Sequence, residues 1–89
     1  MKIQAAVVKE QGVTFAVVVV KPRVVSSRHE AQRAAAAFTR YFPGMPIVLM
    51  AQDSRGTPTY VGRPDIVKFL ANVFLESLPW KEFTFNRAA

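Results

Sequence analysis

Apolar and polar positions along the first twenty residues predict a β-hairpin. Lys2 to Lys9 and Val13 to Lys21 are two β-prone runs separated by Gln11-Gly12, a two-residue turn in which Gly supplies a positive φ. With those two residues in the loop, Glu10 faces Val13, and Ile3, Ala5 and Val7 face Val20, Val18 and Ala16. That face is wholly apolar and is expected to meet the helices. The reverse face carries Lys2, Gln4, Ala6 and Val8 opposite Lys21, Val19, Val17 and Phe15. Its outer end is polar, yet Val8, Phe15, Val17 and Val19 make it more apolar than a solvated sheet face should be. Either something covers it or it is sticky, and a register slip of one residue would exchange the two faces. Lys21-Pro22-Arg23 ends the second run and acts as a gatekeeper on the uncharged β-branched stretch before it.

The period then changes from two to 3.6. Ser27-Arg28-His29-Glu30 fits a capping box, with Ser27 at the cap and Glu30 reaching back. Ala31, Ala34, Ala35, Phe38 and Phe42 recur at helical spacing and form one buried stripe, while Arg33, Ala37 and Arg40 share the outward face. Pro43-Gly44 and Pro46 stop the helix. Ile47 to Ala51 is a continuous apolar run that reads as a buried strand. Asp53-Ser54-Arg55-Gly56 is a turn, and Thr57 to Val61 is a second strand in which Pro58 belongs early or at an edge. Gly62-Arg63-Pro64-Asp65 opens a second helix whose apolar face is Ile66, Phe69, Leu70, Val73 and Phe74, ending at Pro79. Trp80 to Phe85 alternates and predicts either a short fifth strand or a strip docked on the core; Asn86 to Ala89 is expected to fray as a disordered tail.

These elements make one α+β domain over residues 1–85. The expected architecture is a two-layer ββαββα sandwich with a mostly antiparallel or mixed four-stranded sheet and two helices on one face. The short C-terminal strand would be an addition to it. Eighty-nine residues allow a single core that buries roughly 60–65% of the unfolded chain's surface.

Composition narrows function without naming one. The absence of Cys excludes disulfides, thiolate metal sites and thiol catalysis, and makes the cytoplasm the default compartment. Phe15 to Val20, the longest apolar run, is far short of the roughly 20 residues that a membrane helix needs, so no membrane partner is expected. Twelve Lys and Arg against six Asp and Glu give a net charge of +6, which favours nucleic acid, anionic lipid or an acidic protein. Much of that charge sits between Lys21 and Arg40, where Lys21, Arg23, Arg28, Arg33 and Arg40 are accompanied by the single acid Glu30.

The string VLMAQDSRGTPTYVGRPDIVKFL followed by LPWKEFTF resembles a family of small, mostly proteobacterial proteins that share a VLMAQD turn, a Y-x-GR-x-DI helix start and a closing PW with aromatics. The resemblance covers Val48 to Phe85, a little under half the chain, and implies no catalytic residues, since that family has no assigned activity. A weaker likeness is to the strand-strand-helix end of thioredoxin-like folds; without the preceding Cys-bearing unit it implies no redox function.

Catalytic chemistry finds little to work with. His29 is the one imidazole, in the first turn of a helix beside serines that capping already explains. Glu10, Glu30, Asp53, Asp65, Glu76 and Glu82 are scattered, and Asp53, Asp65 and Glu30 have turn or helix-start roles. No cofactor and no metal site is expected, and the chain reads as a non-catalytic binding or self-association module. Self-association as a homodimer would use Val8, Phe15, Val17 and Val19. The alternative is weak, sequence-tolerant nucleic-acid binding, with Arg23, Arg28, Arg33 and Arg40 as phosphate contacts. Tyr41, Tyr60 and Trp80 would stack on bases only where exposed.

Overall fold

Gln11 and Gly12 both take positive φ (51° and 79°), the requirement for a tight hairpin turn whose twist matches its strands. A computed structural model describes residues 1–85, and the expected tail 86–89 lies outside the described residues. β1 (Lys2–Glu10) and β2 (Val13–Val19) pair in the register that the apolar pattern predicts, with Ala5 opposite Val18, Val7 opposite Ala16 and Glu10 opposite Val13.

Pro22 does two jobs at the end of β2. It ends the strand, and its fixed φ suits a first helical position, so a short α1 (Pro22–Ser26) forms where the sequence pattern suggested only a strand end. Ser27 is extended and separates α1 from α2 (Arg28–Phe38), capping the latter by accepting from the Glu30 N–H at 3.3 Å. α2 stops at Phe38 instead of running to Phe42. The Tyr41 N–H bonds back to the Phe38 carbonyl at 2.9 Å, and this tighter turn still delivers Phe42 to the core.

β3 (Ile47–Gln52) lies parallel to β2, and β4 (Pro58–Val61) returns antiparallel along the edge. The turn between them is built on Asp53, whose Oδ1 accepts from the Arg55 and Thr57 N–H groups at 2.9 Å each. α3 (Pro64–Leu70) is shorter than the apolar pattern suggests. Asn72 and Val73 bond to carbonyls three residues back, and the Asn72 amide donates to the Lys68 carbonyl at 3.2 Å, local competition that ends a helix. Phe74 consequently leaves the buried stripe and is 83% exposed. A single 3-10 turn (Leu75–Ser77) leads to β5 (Trp80–Thr84), the fifth strand, antiparallel to β1. The sheet order is β4-β3-β2-β1-β5, a mixed five-stranded sheet in an α+β domain.

The class, the mixed sheet and the added strand agree with the sequence pattern; the layering does not. α1 and α2 lie over one face, where Ala31 and Phe42 pack with Ile3, Ala5, Ala16, Val18 and Leu49. α3 lies over the opposite face, where Ile66, Leu70 and Leu78 pack with Ala6, Phe15, Val17, Val48 and Met50. The helices therefore sandwich the sheet in three layers, in place of sharing one face. The physical reason is in the central strands: β2 and β3 are apolar on both sides and need cover on both. Gly62 lets the chain cross to the second face close against β3. A Cβ there would lie 3.0 Å from Val48 Cγ2 and 3.1 Å from the Ile47 carbonyl oxygen.

Candidate nucleic-acid interface

Burial removes one of the two proposed surfaces. Phe15 and Val17 are 1% and 0% exposed, and Val8 and Val19 are half-buried in the same cluster beneath α3. The hairpin face assigned to homodimer formation is thus occupied from within the chain. α3 covers this face together with Leu75, Leu78 and Trp80, while the tail from Trp80 pairs along the sheet edge beside β1.

The basic residues remain at the surface. Arg23 lies on α1, Arg28 and Arg33 lie on α2, and Arg40 follows it; all are exposed, as are Lys21 and His29. Among the described residues the ion pairs are Lys2 with Glu82 at 4.0 Å and Arg63 with Asp65 at 2.7 Å, and the arginines of α1 and α2 belong to neither. The set does not form one cluster. Arg28 borders a cleft of about 350 Å³ toward β3 and β4, floored by Ala31, Leu49 and Val61. Arg33 borders a shallow groove toward Val24 of α1. Arg33 lies on α2 and Arg40 in the turn after it, with Thr39 between them at helical angles.

Acid–base candidates are dispersed. His29 stands on the exposed first turn of α2, Asp53 is used by its turn, and Asp65 is held by Arg63 through two 2.7 Å bonds. That bidentate hydrogen bonding pulls the Asp65 carboxyl down to about 2.

The three aromatic residues considered for stacking are all half-buried. Trp80 donates its Nε1–H to the Leu75 carbonyl at 2.8 Å. The Tyr60 hydroxyl is buried without a protein partner, and burial, then the charge of Glu76, raises its pKa. The Arg40 guanidinium lies 5.7 Å over the Tyr41 ring, and Phe85 packs against that ring at 4.7 Å with the planes tilted by 46°. Phe85 in turn stacks with Phe83 at 6.2 Å and an interplanar angle of 11°, and Lys81 Nζ lies 5.6 Å over the Phe83 ring. Phe42, 4% exposed, roots the group by meeting both phenylalanines edge-on, at 5.3 Å and 5.9 Å.

Of this group the sequence pattern singles out only Tyr41 for stacking; Phe83, Phe85 and Lys81 are not among its candidates. The available signals were the Arg40-Tyr41 pair and the alternation of Lys81, Phe83 and Phe85, which sequence order holds some forty residues apart. Pairing of β5 with β1, extended by the Phe85 N–H to Met1 carbonyl bond at 2.9 Å, brings them together.

Comparison of the chain with protein-family models, with curated proteins and with solved structures found no match. Among the described residues no helix is long and apolar enough to cross a membrane.

Proposed function

We propose that this chain is a non-catalytic binding module for a polyanion, and that the polyanion is nucleic acid held with little sequence preference through the α1–α2 face. The observation that carries this reading is the pair Arg33 and Arg40, exposed and outside every ion pair among the described residues, within a stretch whose one acid is Glu30. Exposed guanidinium forks match phosphate geometry, and contact with the backbone alone carries affinity without sequence information.

The test is the salt dependence of binding to a labelled oligonucleotide, read by fluorescence anisotropy. Four arginines that each neutralise one phosphate give a log–log slope of about −2.8 to −3.6, so a fourfold rise in salt weakens binding roughly 50- to 150-fold. Arg33→Glu with Arg40→Glu abolishes binding and leaves the circular dichroism spectrum unchanged. Binding that survives the double reversal, or no binding at low salt, removes the proposal.

A further inference from the structure

We infer that Tyr41, Phe83 and Phe85 form a platform on which unpaired bases stack, so that the nucleic acid this protein takes is single-stranded. The inference rests on the basic-face reading and narrows it. Three half-buried rings adjoin one another, Tyr41 packed on Phe85 at 4.7 Å with the planes tilted by 46° and Phe85 nearly parallel to Phe83 at 6.2 Å, on a buried support from Phe42. All three rings pack against the first-face core, and the side chains over two of them are cations: Arg40 lies over Tyr41 and Lys81 over Phe83. Both cations are exposed.

That arrangement suits a flexible polyanion with free π-faces. A base that enters over Tyr41 or Phe83 replaces a cation–π contact with stacking, and the displaced guanidinium or ammonium group meets the adjoining phosphate. Arg40 belongs to both surfaces, since it is also one of the exposed arginines of the basic set and stands in the turn that follows α2; the phosphate track therefore leads onto the rings. Bases inside a duplex have their faces already occupied, whereas a single strand can splay them. Three adjacent rings accommodate roughly two or three bases, comparable with other aromatic platforms for single strands. Each stacked base is expected to raise affinity roughly five- to hundredfold.

The experiment compares a labelled oligothymidylate with its duplex with oligoadenylate, across a salt series that starts at low salt, for the wild type and three variants. The single strand is expected to bind at least about tenfold more tightly than the duplex. Tyr41→Leu and Phe85→Leu, which keep apolar bulk and remove the π-face, each weaken single-strand binding roughly five- to hundredfold and leave the salt slope unchanged. Tyr41→Phe retains binding, which separates stacking from hydroxyl chemistry. Because the Leu variants also touch the core, wild-type protein is cross-linked to a 5-iodouracil oligonucleotide, with adducts expected on Tyr41, Phe83 or Phe85. Equal affinity for duplex and single strand, unaffected Leu variants, or adducts confined to other residues overturn the platform while the basic-face reading stands. Loss of all binding on reversing Arg33 and Arg40 is expected under both; no binding to either oligonucleotide by wild type overturns both.

Discussion

Val17→Thr separates a sheet face covered from within the chain from one left open for a partner. Val17 is 0% exposed, and its surroundings in the second-face cluster, Phe15, Val48, Ile66 and Leu70, offer no polar atom on their side chains. β2 is paired on both sides, with Ala6 opposite Val17 on β1 and Val48 opposite it on β3, so nearby backbone groups are engaged in the ladders. Thr is nearly isosteric with Val and has similar β-propensity, which leaves the buried hydroxyl as the principal change. A hydroxyl without a partner in such a site costs about 1–3 kcal/mol. For a domain of this size each kcal/mol moves the midpoint by about 4–8 °C, so melting is expected about 5–20 °C below wild type. Thermal unfolding followed by circular dichroism reads the shift, with sedimentation velocity on the same samples. Val19→Thr, at a half-buried position, should lose less. An open face predicts a different outcome: Val17→Thr would melt within a degree or two of wild type and would change only the sedimentation coefficient. That result would falsify the three-layer packing.

Two further outcomes follow from local geometry. Gly62→Ala places a Cβ 3.0–3.1 Å from Val48 Cγ2, the Val48 Cα and the Ile47 carbonyl oxygen, and most of these are backbone atoms of β3 that cannot swing aside. A loss of about 1–3 kcal/mol in urea denaturation is expected, and an unchanged midpoint would show that the chain does not pass so close. Asp65 should titrate near 2 by carbon-detected NMR, and Arg63→Ala should return it toward the ordinary carboxylate value of 3.8. Because the folded pKa is depressed, the favourable Arg63–Asp65 interaction is present above pH 4 and is lost as pH falls from about 4 through 2. An Asp65 midpoint that ignores Arg63→Ala would show that the two side chains do not pair in solution.

The candidate interface was partly legible. Helical spacing puts Arg33 and Arg40 on one outward face; both are exposed, but α2 ends at Phe38 and Arg40 stands in the turn beyond it. Arg28 was grouped with them because it is near in sequence, yet it borders a separate cleft toward β4. The aromatic platform was not legible, because Tyr41 and Phe85 meet through a strand pairing whose partner the local pattern does not specify.

Local chemistry determined much of this fold before any long-range contact was known. A two-residue turn with positive φ set the hairpin register, Ser27 set the start of α2, and Asp53 closed the β3–β4 turn. Each is an interaction between residues fewer than five positions apart. Helix ends were less certain, since Asn72 competes for the Lys68 carbonyl and stops α3 eight residues short of Leu78. The side of the sheet on which α3 packs was decided by tertiary structure. The apolar pattern of Phe15, Val17 and Val19 required that this face be covered, but burial is non-directional: another chain, the tail or α3 would each satisfy it. The choice went to α3 because Gly62 permits a close crossing over β3 and because β5 is used as an edge strand beside β1.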